Sequence, residues 1–209
     1  PAEPYPFFFD ASTTVVTRGK LEIYNKLGKP LPEGWALDKD GHPSSDAPDV
    51  LKNIISKNGG GIMPLGGSTE ALGSHKGYGY GMLCEIFSSI LSLGMTSNYC
   101  MQGTKGGICH GFAAINPAIF GDPVKIKEHM SRYLQELRDA PKAEGQDQIY
   151  THGEKEIAAM AVRMDTGIPV NDNTMLEVLD LCEFLKMDFS KYFGDYSPEK
   201  SNSIFENNY

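Results

Sequence analysis

The sequence has no apolar run long enough to span a bilayer, which takes about twenty consecutive apolar residues. The longest candidate, Met82 to Leu93, is interrupted by Glu85, Ser88, Ser89 and Ser92. No signal-peptide pattern opens the chain, so the expected location is the cytoplasm. Cysteine is scarce: Cys84, Cys100, Cys109 and Cys182 are scattered, with no C-x-x-C pair. That spacing argues against a zinc site or a disulfide framework and leaves the four as small core residues. Positive charge is short too, 19 Lys and Arg against 27 Asp and Glu, and a net charge of −8 repels a phosphate backbone. No nucleic-acid partner is expected. The five histidines form no His-Glu-x-x-His pair and no Ser-His-Asp order. Asp38-Lys-Asp-Gly41 lacks the other ligand positions of a calcium loop and reads as a turn.

What is present suits a globular protein: 40% hydrophobic and 22% charged residues over 209 positions, enough for a sizeable core. Tyr5 to Phe9 reads as a buried strand ending at Asp10. Ser12, Thr13 and Thr14 can cap a helix running through Val15, Leu21 and Tyr24 to Leu27, where Gly28, Pro30 and Pro32 end it. A loop over 34–48 precedes a helix at Asp49 to Ser56, and a glycine-rich tract covers 59–67. Gly77 to Leu93 shows a wide apolar stripe expected to be buried. Ile108 to Ile115 and Gln148 to Thr151 read as strands. Asp122-Pro123 opens a helix, Gly153 to Arg163 forms another, and Thr174-x-x-Glu177 is a capping box for the last. Strands and helices mix without regular βα alternation, so the expected class is α+β, or irregular α/β. Trp35 is expected to pack, and His110 to be a strand residue.

Three places put small residues beside a charge at the end of an element. Asp10-Ala-Ser-Thr-Thr14 can accept ribose hydroxyls and meet a phosphate, or simply cap a helix. Gly73-Ser-His-Lys-Gly-Tyr-Gly-Tyr-Gly81 spends glycines at roughly 1 kcal/mol each relative to alanine. A backbone or a ligand must therefore come close there, and Lys76 adds a cation at a helix start. The order is neither a P-loop nor G-x-G-x-x-G. His152-Gly-Glu-Lys-Glu156 sits at a strand-to-helix junction, where acidic residues favour the helix dipole or hold ribose or adenine groups.

Together these segments resemble the malate/L-lactate dehydrogenase-like family, a group outside the Rossmann fold that includes ureidoglycolate, sulfolactate and diketogulonate enzymes. The matching run includes Phe9-Asp-Ala-Ser-Thr-Thr-Val-Val-Thr-Arg-Gly-Lys20 and Gly28-Lys-Pro-Leu-Pro-Glu-Gly-Trp-Ala-Leu-Asp-Lys-Asp-Gly41. Met63-Pro-Leu-Gly-Gly67, Lys76-Gly-Tyr-Gly79, Phe112-Ala-Ala-Ile-Asn-Pro117, Gly153-Glu-x-Glu156 and Gly167-Ile-Pro169 extend it. The likeness spans roughly residues 5 to 186.

The resemblance implies a non-Rossmann NAD(P)-dependent oxidoreductase. It moves hydride between nicotinamide and a 2-hydroxy or 2-oxo acid, with NAD or NADP as cofactor. Carried over, cofactor contacts fall on Pro6, Phe7, Phe8, Phe9, Asp10, Ala11 and Ser12, on His75 and Lys76, and on Gly153, Glu154 and Lys155. Asp10 and Glu154 would meet ribose or nearby hydroxyls. Lys76 and the backbone at Ser12 and Gly153 would face phosphate. The resemblance also implies homodimers or larger assemblies; no metal is expected from the cysteine and histidine spacing. Two departures stand out: Ser68 to His75 lengthen the loop before Lys76, and His152 stands where the family tends to have proline. The family's catalytic histidine belongs to an earlier segment, and none of the five histidines sits in its context. With Pro1 not a translation start, the chain reads as the later part of something longer. Residues 1–190 are then expected to form a cofactor-binding region and 191–209 a polar tail. A catalytically silent nucleotide-binding or assembly partner is the alternative.

Overall fold

A computed structural model describes residues 1–100 and 106–199; the expected polar tail lies, from residue 200 on, outside the described residues. Two helices open on aspartate caps: one on the expected Asp122, the other with its first residue at Ala47, ahead of the Asp49 expected. α2 (Ala47–Ser56) opens on Asp46, whose carboxylate accepts the Asp49 N–H at 3.0 Å. α4 (Pro123–Asp139) opens on Asp122, which accepts the Val124 N–H at 2.9 Å. Each cap satisfies an orphan donor, and proline in the first turn costs no bond.

Elsewhere tertiary contacts override the local signal. α1 spans Arg18–Lys26, with Thr17 at its N-cap and no side-chain cap bond. The expected caps are engaged otherwise: the Ser12 hydroxyl reaches the Thr14 carbonyl, and the Thr14 hydroxyl donates to the Val16 carbonyl at 2.7 Å. Val15 N–H donates to Met63 O, and Leu65 N–H to Thr13 O. This extended pairing suits β-branched residues and holds 13–15 out of the helix.

α3 (Ser74–Glu85) runs into a single π turn, Ile86–Ile90. Ser88 and Ser89 bond back to the carbonyls of Cys84 and Glu85, a habit that bends helices. The stripe expected to be buried is exposed at Met82, Leu83, Phe87, Ile90 and Leu91, because no described element packs over it.

The strands expected at Tyr5–Phe9, Ile108–Ile115 and Gln148–Thr151 are absent, which also removes His110 from a strand. A strand needs a partner to take its backbone bonds. The single ladder among the described residues is β1 (Ala36–Leu37) antiparallel to β2 (Gly61–Ile62), with Ala36 opposite Ile62. α5 spans Glu154–Thr166. α6 (Asp172–Leu185) is capped by Asn171, which accepts the Thr174 N–H, and not by the expected Thr174 box. Thr174 and Glu177 instead receive Lys26, at 3.5 and 2.7 Å. A short α7 (Ser190–Phe193) follows. Helix-rich with little strand, this is the α+β class expected. No described helix is long and apolar enough to cross a membrane.

The chain divides into two compact units. The first joins Pro1–Ala11 to Phe112–Ile168 and contains α4 and α5. Its opening segment is tied to α4 by Glu3, which pairs with Lys127 at 2.5 Å and donates its N–H to Ser131 at 2.8 Å. The second unit joins Ser12–Gly111 to Pro169–Tyr209. Its core gathers Val16, Leu21, Leu31, Ala36, Val50 and Leu51. Trp35 packs there as expected, edge-on to Tyr24 with ring centres 5.0 Å apart. Asp38–Gly41 forms the expected turn: the Asp38 carboxylate accepts the N–H groups of Asp40 and His42, both at 2.9 Å.

Candidate functional site

Within the first unit, the chain's opening residues lie along the start of α5. Phe8 N–H donates to His152 O at 3.1 Å. Gly153 is the N-cap of α5 at φ 101°, a left-handed conformation that glycine adopts without strain. A Cβ there would sit 3.0 Å from Phe8 Cβ, so a bare backbone suits the close approach.

His152 lies between two phenyl rings. Phe7 and Phe9 are parallel within 5°, with centres 6.4 Å apart. The imidazole meets both edge-on, at 5.2 and 5.0 Å, the arrangement aromatic quadrupoles favour. The residue that departs from the family pattern is thus what anchors the Pro6–Phe9 segment.

This contact leaves a pocket of about 310 Å³. Phe8, Asp10, Gly153 and Lys155, all expected site residues, line it together with Tyr150, Thr151, His152 and Glu156. Lys155 Nζ lies over the Tyr150 ring, 4.8 Å from its centre. Sequence reasoning placed no role on Tyr150, whereas Glu156 is one of the two acidic residues it offered for ribose or adenine groups.

Glu154 is turned inward and buried. Its carboxylate receives Arg138 Nε in a short ion pair, the Thr151 hydroxyl at 2.9 Å and the Thr151 N–H at 3.2 Å. Arg138 also reaches the Thr151 hydroxyl at 3.1 Å. The Glu154 carboxylate, expected to meet ribose, is engaged here by Arg138 and Thr151 and holds the Thr151–Gly153 turn that shapes the pocket. Sequence reasoning missed Arg138, because a basic residue in the last turn of a helix looks like ordinary dipole compensation.

Burial pushes the Glu154 carboxyl up, but the bonds from Arg138 and Thr151 outweigh it and hold it below the usual Glu value of 4.5. A depressed carboxyl contributes stability that is present above the unfolded-state value and lost as pH falls through the folded one. The denaturant midpoint is therefore expected to fall as pH drops below 4.5. In Glu154→Gln that loss should shrink, and identical acid profiles for the two proteins would refute it.

The second unit holds the other expected residues. His75 and Lys76 are exposed in the first turn of α3. The inserted residues close a short helical turn at Glu70–Leu72 and return through Gly73. A Cβ on Gly66 would lie 2.3 Å from the Gly73 carbonyl carbon, and one on Gly77 2.3 Å from Leu65 O. Backbone approach, not a ligand, therefore accounts for Gly77. Ser12 is exposed at the edge of the same unit. A second, more open cavity of about 850 Å³ lies between α3 and the segments at Thr13–Thr14 and Thr96–Asn98.

Comparison with known proteins gives the family. The family model described as malate/L-lactate dehydrogenase matches residues 1–179. The chain is 36% identical over 185 residues to malate dehydrogenase of Pyrococcus horikoshii, covering 88% of this chain and 50% of that protein. It is 32% identical to L-sulfolactate dehydrogenase of Methanocaldococcus jannaschii, covering 90% and 51%. Among solved structures, malate dehydrogenase of Entamoeba histolytica superposes with a TM-score of 0.82 at 34% identity, over 90% of this chain and 54% of that one. The chain spans about half the length of these relatives.

Proposed function

The chain belongs to the malate/L-lactate dehydrogenase family, and from that premise we propose that it supplies part of the nicotinamide-cofactor site of a 2-hydroxy-acid dehydrogenase. The observation that carries this is the single pocket shared by Asp10 and the Gly153 turn, segments that are far apart in sequence. Its size is near the lower end of ligand pockets, about 300–1,000 Å³, which suits one nucleoside portion rather than a whole dinucleotide.

The lining suits hydroxyls. Asp10 and Glu156 offer carboxylate acceptors, and a ribose presents two adjacent donors to such groups. Phe8 and Tyr150 provide apolar surface for a ring. Glu154 and Arg138 hold the turn beneath it. Two carboxylates favour an unphosphorylated ribose over a 2′-phosphate, so NAD is the preferred cofactor. The family resemblance, rather than this pocket, assigns a phosphate-facing cation to Lys76 at the start of α3 and phosphate-facing backbone to Ser12.

When bound, the cofactor supplies hydride chemistry toward a small 2-hydroxy or 2-oxo acid. This chain's residues bind and orient it, and no proton-transfer role is assigned to its five histidines. Assembly with further copies of the chain belongs to the same proposal.

Titration with NADH and NADPH, followed by cofactor fluorescence, tests this reading. Asp10→Ala and Lys76→Ala should each weaken NADH binding by about tenfold or more, since a charged hydrogen bond contributes about 1.5–3 kcal/mol. NADPH should bind more weakly than NADH. Unchanged affinity in both variants would sink the assignment.

A further inference from the structure

Two cysteines that are separate in sequence converge on the same backbone carbonyls. Cys100 Sγ lies 3.1 Å from Gly107 O and 3.7 Å from Met95 O. Cys109 Sγ lies 3.7 Å from Gly107 O and 3.8 Å from Met95 O. Both thiols are partly exposed, whereas Cys182 is buried.

The surroundings hold this arrangement open. A Cβ on Gly94 would lie 2.5 Å from Cys109 Sγ, so that sulfur rests against bare backbone. Gly107 adopts φ 99°, and a Cβ there would meet Met95 Sδ at 2.8 Å. On the other side the Cys100 backbone is tethered. Lys57 Nζ donates to the carbonyls of Asn98 and Cys100, at 2.7 and 2.9 Å. Ser97 N–H donates to Glu85 Oε1 at 2.8 Å. Two thiols held at the same pair of carbonyl oxygens are near one another before any bond forms, which raises their effective concentration for closing a disulfide.

We propose that Cys100 and Cys109 form a reversible dithiol–disulfide site whose oxidant is a low-molecular-weight disulfide. One thiol loses its proton and attacks a sulfur of the small disulfide, forming a mixed disulfide and releasing one small thiolate. The other cysteine, as thiolate, attacks the protein sulfur of that mixed disulfide and expels the second small thiolate. Two cysteine thiols and one small disulfide thus become one protein disulfide and two small thiols. Two electrons pass to the small disulfide, and the protons end on the released thiols. The site borders the open cavity of the second unit through Thr96, Ser97 and Asn98, so its oxidation state bears on that wall.

The test uses the full chain in buffers of varied reduced-to-oxidised glutathione ratio, acid-quenched, alkylated and read by intact mass and peptide mapping. The expected result is the joint loss of two alkylatable thiols and a cross-linked peptide pair containing Cys100 and Cys109. It should appear at an oxidised-glutathione level at least about tenfold below that needed to place glutathione on exposed Cys84, because ring closure is intramolecular. Dithiothreitol should restore both thiols. Cys100→Ser and Cys109→Ser should each abolish the cross-link and leave a glutathione adduct on the remaining cysteine, while Cys84→Ser leaves the cross-link unchanged. Independent glutathione adducts on Cys100 and Cys109 in the unsubstituted chain, or cross-links through Cys84 or Cys182, would overturn the proposal.

Discussion

Arg138→Ala is expected to lower stability by about 3 kcal/mol or more, the usual cost of breaking one side of a buried ion pair. The side chains of Arg138 and Glu154 are 14% and 7% exposed, so removing the guanidinium leaves a carboxylate with little water to turn to. Thr151 remains as its partner but supplies no charge. For a chain of this length the loss corresponds to a melting-point drop of about 6–12 °C. Because the same cluster holds the Thr151–Gly153 turn, NADH affinity should fall with it. Glu154→Gln should cost less, since the amide oxygen can still accept from Thr151. Replacing Arg138 and Glu154 together by Met and Leu should recover much of the stability, as no charge is then stranded. Urea unfolding followed by far-ultraviolet circular dichroism separates these cases. An Arg138→Ala midpoint equal to that of the unsubstituted chain, or a double variant no better than the single one, would show the pair to be unimportant.

Gly77→Ala is the second large effect, and its sign is opposite to helix propensity. Within a helix, alanine is ordinarily better than glycine by roughly 1 kcal/mol. At this position the added Cβ would lie 2.3 Å from Leu65 O and 2.5 Å from Leu65 N. Those are backbone atoms held by the Leu65 N–H bond to Thr13 O, so they do not yield as a flexible side chain would. A net loss of about 2–3 kcal/mol is expected from overpacking. Gly79 stands two residues on in the same helix, with nothing within 4 Å of its Cβ position. Gly79→Ala should therefore stabilise, by up to about 1 kcal/mol. Trp35 fluorescence reads both variants, since Trp35 is the chain's one tryptophan and its carbonyl accepts the Met63 N–H of the same loop. Shifts of the same sign in the two variants would refute the contact.

How much was legible in the sequence follows the range of the interaction. Asp122 acts on a donor two residues away, so α4 starts where its cap indicates; Asp46 caps α2 just as locally, although that helix was expected to start at Asp49. Gly28 closes α1 at φ 62° for an equally local reason. The opening of α1 was not legible, because Val15 pairs with Met63, far along the chain. The strand expected from Tyr5 to Phe9 failed for the complementary reason: no neighbouring strand is there to take its backbone bonds. What holds that segment is one backbone bond from Phe8 to His152 together with aromatic contact on the same imidazole.

The sequence by itself determined the family, the α+β class and the segments that meet at the pocket, because ordered motifs and local caps are written residue by residue. Only the tertiary structure decided what those segments do there. It turned Glu154 inward onto Arg138, while Asp10 and Glu156 line one pocket. It also set Cys100 and Cys109 on shared carbonyls. The physical reason is that a side chain's direction depends on which distant group can neutralise or satisfy it, and spacing along the chain does not encode that distance.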